Sequence, residues 1–190
     1  PGEYSLPGQA DEPSRVYDYQ RSDPRFEEVM VYSHVDMVHR YLIRIGEVWI
    51  LNWPMPAHAH YMPDWNAFYD SWMKGIAFGD AWYPFLGCYY FTPSPYGGPS
   101  TETAEDGDVI VHEYAHAILD DQAGRTGFPT TEEGYAIHEG FADYLSADLN
   151  PLNEATPSAT PSSSCAEWFG YGLSFPIWSG TGTFTGTFPY

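Results

Sequence analysis

The chain has 190 residues, enough for one sizeable domain with a buried core. Its 26 acidic residues against 7 basic ones give a formal net charge of −19, and Lys74 is the only lysine. Such a surface repels nucleic acid and anionic membranes, keeps an extracellular protein soluble and equally suits a saline habitat. No apolar run is long enough to suggest a membrane-spanning helix. The chain starts at Pro1 without Met, which reads as a processed product or a piece of a longer polypeptide. An extracellular, periplasmic or cell-surface location is expected.

Residues 1–25 carry Pro1, Pro7, Pro13 and Pro24 among Gly, Ser and acidic residues, the composition of an extended arm or a frayed terminus. Phe26–Tyr32 alternates enough to predict a strand. His34–Ile45 has apolar residues at helical spacing and ends at Gly46, so a helix is predicted there. His34 and His39 on it read as surface histidines. Val48–Trp53 reads as a short apolar strand. Pro54–Pro63 holds His58 and His60. An H-x-H pair in a strand could bind a second metal, but the three prolines around it favour a loop. Phe68–Asp70 and Ile76–Phe78 read as paired strands. An edge strand at this place would offer free N–H and C=O groups to which a peptide could add.

Trp82–Thr92 is rich in aromatic residues of packing type, and Pro93–Asp106 reads as a loop. Asp108–Gln122 and Glu133–Leu149 read as helices separated by a Gly124–Thr131 turn. After Asn150 the helix signals stop: Thr156–Ser164 is low-complexity, and Gly180–Tyr190 reads as irregular strand. Cys88 and Cys165 are either a disulfide of a secreted protein or two unrelated buried thiols. The expected organisation is an arm at 1–25, a metal-binding domain at 26–150 and an irregular tail or the start of a second domain at 151–190.

The chemistry is concentrated in the two late helices. The first, DVIVHEYAHAILDDQ, contains H-E-x-x-H as His112, Glu113 and His116, with Asp106 or Asp108 as N-cap. Positions four apart share a helix face, about 6 Å apart along the axis at about 1.5 Å per residue. Two imidazoles so placed can reach one zinc ion at about 2.0–2.1 Å. Glu113 lies one step round the helix, where it can accept a proton from a metal-activated water without being a ligand. The second helix carries Glu139 and Asp143, again four apart. A catalytic zinc takes three protein ligands and leaves one position open. Glu139 can be the third ligand, with His138 as its rival, and Asp143 can hold His112 by its other nitrogen.

These two stretches resemble the gluzincin metallopeptidases, the thermolysin and fungalysin-like branch. Trp65–Asp70 (WNAFYD) with Gly75–Asp80 (GIAFGD) is similar to that family's edge strand and the strand after it, and Val29–Gly46 to the strand and helix before the cleft. Cys165–Phe169 is similar to a short fungalysin-like segment. The resemblance implies an α+β fold: a mixed sheet packed on the H-E-x-x-H helix and a second metal-ligand helix. It implies zinc on His112, His116 and Glu139, Asp143 beside them, Glu113 as base, and Asn66 and Ala67 aligning substrate backbone. It also raises structural calcium, for which Asp108 stands at one ligand position, while Asn150 falls where an acidic partner is expected.

The chain departs from the family after Asn150, where nothing matches its helical second domain and the oxyanion-stabilising His or Tyr. The phrase Ile45–Trp49 is similar to one that follows that His, but it sits too early to carry the role onto His39. The expected function is zinc-dependent hydrolysis of internal peptide bonds. The alternative is a metallopeptidase-like structural or binding subunit, weakly active or inactive alone, with a partner chain completing or covering the cleft.

Overall fold

The computed structural model describes residues 10–20, 23–63, 66–80, 82–83, 88–89, 102–124 and 131–149. The first element is one long helix, α1, Arg25–Arg44. Its residues Glu27, Val31, Val38 and Leu42 are buried, at separations of four, seven and four that keep them on one face. The strand expected over Phe26–Tyr32 is therefore the first part of this helix. The alternation over Phe26–Tyr32 suggested a strand, but helical burial of Val31 against the core overrides that local pattern. Glu27 and Glu28 in the first turn and Arg44 in the last complement the helix dipole. Gly46, at φ 96°, takes the chain out of the helix. The expected Val48–Trp53 strand is a series of turns, yet Ile50 and Leu51 still enter the core.

The sheet is small and mixed. Strands β1 (Ala57–Met62), β2 (Ala67–Asp70) and β3 (Gly75–Gly79) lie in the order β1-β3-β2. β1 runs parallel to β3, and β2 runs antiparallel to it with Phe68 opposite Ala77 and Tyr69 opposite Ile76. The expected pairing of these last two segments is thus present, and β2 is an edge strand. Asp70 Oδ1 accepts the N–H groups of Trp72 and Met73, both at 2.7 Å, and so folds the β2–β3 turn. β1 replaces the expected Pro54–Pro63 loop. The register slips between His58 and Met62, so the alternation fails and Ala59 and His60 are both buried while His58 is exposed. His58 and His60 therefore do not act as a pair on one side of the strand. A short antiparallel ladder, β4 (Trp82–Tyr83) with β5 (Cys88–Tyr89), follows.

Gly75 opens β3 against the chain entering β1. A Cβ there would lie 2.7 Å from the Pro56 carbonyl oxygen, a backbone atom that also accepts the Ile76 N–H at 3.1 Å. Gly75→Ala is expected to lower stability by about 1–3 kcal/mol, the usual cost of forced overpacking. The midpoint of urea unfolding checks this, and an unchanged midpoint would mean that the two strands separate freely.

Helix α2, Gly107–Ala123, is the central element and is buried nearly all round. Asp106 is its N-cap, accepting the N–H groups of Asp108 at 2.9 Å and Val109 at 3.4 Å. Gly124 ends it at φ 63°. Ile110 of α2 packs with Val31, Ala59, Ile76 and Phe78 beneath the sheet. Val111, Tyr114, Ala115 and Ile118 pack with Val38 and Leu42 of α1 and with Ala142 and Leu145 of α3, Glu132–Leu149. The buried Ser146 hydroxyl donates to the Asp108 carbonyl at 2.8 Å, joining the end of α3 to the start of α2. Thr103, just before α2, is fully buried. Its hydroxyl accepts the Gly79 N–H at 3.0 Å and lies within hydrogen-bonding distance of the Gly79 and Asn66 carbonyls.

The described residues form a mixed α+β fold of three α-helices, a three-stranded mixed sheet and the short β4–β5 ladder, with the three-stranded sheet on one flank of α2 and the other helices packed against it. Among the described residues, no helix is long and apolar enough to cross a membrane. The expected tail after Asn150, with Cys165, lies outside the described residues, as does most of the Pro93–Asp106 loop.

Candidate metal centre

Helices α2 and α3 run antiparallel, since Asp108 meets Ser146 at one end and His116 meets His138 further along. Their apolar packing brings four polar side chains to one spot. His112 Nε2 lies 3.0 Å from His116 Nε2 and 3.3 Å from a Glu139 carboxylate oxygen, and His116 Nε2 lies 3.5 Å from that same oxygen. An ion held tetrahedrally at about 2.0–2.1 Å has ligand atoms about 3.3–3.4 Å apart. The triangle of two nitrogens and one oxygen has nearly those edges, so it fits such an ion without rearrangement. His112, His116 and Glu139 can therefore hold a metal ion together.

The partners of the rings are equally specific. Asp143 Oδ1 lies 2.9 Å from His112 Nδ1 and accepts its N–H, so in the neutral ring Nε2 presents its lone pair to the cluster, whereas the protonated ring donates from Nε2 to Glu139. Burial pushes the His112 pKa down, but hydrogen bonds to Asp143 and Glu139 outweigh it and raise the value to about 10. The same bonds from His112 and His116 hold the Glu139 carboxyl well below its usual range. This carboxylate is 60 % exposed, so one side of the cluster faces outward.

His138 had been the competing third ligand, and the structure gives it a different position. Its ring stacks on His116 at 4.5 Å with an 18° tilt, and its Nδ1 meets His116 Nδ1 rather than the Nε2 triangle. Burial and the neighbouring His116 lower its pKa, which favours the neutral ring that can accept the His116 N–H. His138 thus stands to His116 as Asp143 stands to His112. The sequence held a signal for this: His138 and Asp143 lie on either side of Glu139 and share its helix.

Glu113 is buried, at 7 % exposure. Burial raises its pKa, while the two imidazoles and the Tyr69 N–H act in the opposite sense. That N–H belongs to β2, so the edge strand and the acidic side chain of α2 are in direct contact. Tyr69 also donates its hydroxyl to Asp120 at 2.6 Å, and Lys74 Nζ pairs with the same carboxylate at 2.5 Å. These bonds tie β2 and the β2–β3 turn to Asp120 of α2. Asn66 is exposed at the start of β2 and Ala67 is partly buried. Asp108 is buried at the start of α2, and its calcium counterpart Asn150 lies outside the described residues.

What fold and site define is an α+β domain with a candidate metal centre strung between two antiparallel helices. No family model matches the chain, and no curated protein matches it.

Asp143→Ala is expected to weaken metal binding by about 10–100-fold, the usual effect of removing an outer partner of a ligating imidazole. Competition with a chromophoric chelator measures it. An unchanged affinity would assign Asp143 a role outside metal binding.

Proposed function

We propose that this chain is a zinc-dependent endopeptidase of the gluzincin type, acting on internal peptide bonds. The observation that carries the reading is the near-tetrahedral triangle of His112, His116 and Glu139 donors with the buried carboxylate of Glu113 one residue along the same helix. Zinc, when bound, supplies a Lewis acid that polarises a carbonyl and lowers the pKa of a water to about 7. His112, His116 and Glu139 would hold it, leaving the fourth position to water or substrate. Asp143 keeps His112 in the tautomer that presents Nε2. Glu113 takes the proton of the attacking water and passes it to the leaving amine. Its burial supports this, because burial raises the carboxyl's pKa and so makes the carboxylate a stronger proton acceptor. The part of the β2 edge that Glu113 does not engage, at Asn66 and Ala67, is suited to receive an extended peptide as an added strand.

Cleavage of casein by the chain, with and without chelator, tests the reading. Hydrolysis that disappears with chelator and returns with zinc is expected, and hydrolysis indifferent to chelator would overturn it.

A second reading, a metallopeptidase-like subunit in which zinc is a staple, draws on one observation. Tyr135 and Ile137, on the same helix as Glu139, are each 59 % exposed, and such residues suit a covering partner. Stoichiometric zinc without hydrolysis would select it.

A further inference from the structure

A second cluster of metal-binding side chains is built from four other elements. Glu27 lies in the first turn of α1, His60 in β1, Asp80 directly after β3, and Glu102 immediately before the Thr103–Glu105 turn that leads into α2. One donor atom from each lies within 4.8 Å of all the others. His60 Nδ1 is 2.8 Å from Asp80 Oδ1 and 3.7 Å from Glu27 Oε2. Glu27, His60 and Asp80 are all at least nine-tenths buried. None of the four belongs to the His112 centre.

Two details separate this cluster from an ordinary group of acidic residues. The first is the imidazole. Its Nε2 lies 2.8 Å from the Pro24 carbonyl oxygen, which can only accept, so Nε2 carries a hydrogen. In the neutral ring that fixes Nδ1 as a lone pair directed at the carboxylates. A backbone carbonyl on the far nitrogen is the usual support of a metal-ligating histidine. The second is Glu27 Oε2, a buried carboxylate oxygen with no hydrogen-bond partner that is directed at His60 Nδ1. Even an imidazolium, donating to Asp80 and Pro24, would leave that oxygen without a bond. Leaving such a group unsatisfied is costly, and a proton or a cation is what removes the cost. The chain's one lysine, Lys74, is committed to Asp120. Burial raises the carboxyls of both Glu27 and Glu102; the Glu102 charge and a hydrogen bond between the two raise Glu27 further, and that same bond lowers Glu102.

We propose that Glu27, His60, Asp80 and Glu102 form a second divalent-cation site that ties the start of α1, the sheet and the lead-in to α2 together. Ligands held at about 2.1–2.2 Å lie about 4.4 Å apart when opposite and about 3 Å when adjacent, so the four donors, now spread over up to 4.8 Å, draw inward to close on the ion. Three carboxylates and one imidazole select the ion. Carboxylates suit Mg²⁺, Ca²⁺ and Mn²⁺, an imidazole suits transition metals, and Mn²⁺ accepts both. The site stands independently of the peptidase reading.

The test uses the full-length His116→Ala chain, in which the other centre has lost a ligand, loaded with Mn²⁺ alone after chelator treatment. Pulsed electron paramagnetic resonance reads the nitrogen nuclei coupled to bound Mn²⁺. One bound ion per chain with a single directly coordinated imidazole nitrogen is expected. His60→Gln should abolish that coupling. Glu27→Gln, of nearly unchanged volume, should weaken Mn²⁺ binding at least as much as the 10–100-fold that an outer partner costs. No bound Mn²⁺ at millimolar concentration overturns the proposal without recourse to any second variant. Mn²⁺ bound without nitrogen coupling would be held by surface carboxylates and overturns it equally. Coupling that persists in His60→Gln places the ion elsewhere and does the same. Failure of the peptidase reading alone would leave the Mn²⁺ signal intact.

Discussion

Glu113→Gln is expected to lower peptide hydrolysis by about 10²–10⁴-fold, the range supplied by a positioned general base, while zinc content stays at the parent level. The substitution changes one chemical property. A glutamine has nearly the volume of the glutamate, and its amide oxygen can still accept the Tyr69 N–H that reaches Glu113 from β2. It cannot take a proton. The donors of the metal triangle are His112, His116 and Glu139, so the ligand set is untouched. Because Glu113 is only 7 % exposed, no solvent carboxylate can take over its task. Zinc analysis beside casein turnover makes the measurement. A variant that keeps zinc and keeps its rate would remove Glu113 from the chemistry, and one that loses both would make it part of the metal's support.

Two i, i+4 pairs were legible in the sequence because helical periodicity converts sequence spacing directly into geometry. Once His112 and His116 are placed on α2 and Glu139 and Asp143 on α3, only the packing of two helices remains. Alanines and branched residues at the interface supply it. The role of His138 was harder to read, since adjacent residues point about 100° apart and the choice depends on how α3 rotates against α2. The strand expected at Phe26–Tyr32 failed for a related reason. A run such as Val-Met-Val-Tyr is locally compatible with a strand, and only burial of Val31 with Ile76 and Phe78 makes it helical. Of the Glu27–His60–Asp80–Glu102 cluster, only His60 stood out in the sequence, and there as a partner of His58. The cluster's members are scattered over more than seventy positions and meet only through the crossing of α1, β1 and β3. His60 also faces inward because of a register slip between His58 and Met62 that no alternation rule foresees.

His116→Ala is expected to abolish the stabilisation that zinc confers through the α2–α3 centre. In the parent, an ion on His112, His116 and Glu139 would cross-link α2 to α3, and it binds the folded chain alone because the triangle exists only there. At a free zinc concentration about 1,000 times Kd, that linkage is worth about 4.1 kcal/mol. For a domain of roughly 150–250 residues each kcal/mol moves Tm by about 2–4 °C, so zinc should raise the parent's Tm by roughly 8–16 °C. Removing His116 leaves two donors, one of them a largely exposed carboxylate, and the affinity falls with the shift. The fold itself should survive, because the α2–α3 contact rests on Val111, Ala115, Ile118, Ala142 and Leu145, all buried and apolar. Calorimetry of both chains, with zinc and with chelator, reads the difference. A zinc shift in His116→Ala as large as in the parent would place the stabilising ion elsewhere. If that remaining shift then vanished in His116→Ala combined with Glu27→Gln, the ion would belong to the buried cluster at the start of α1. Separate behaviour of the two variants is what two independent metal sites in one fold require, since the first joins helix to helix and the second joins helix to sheet.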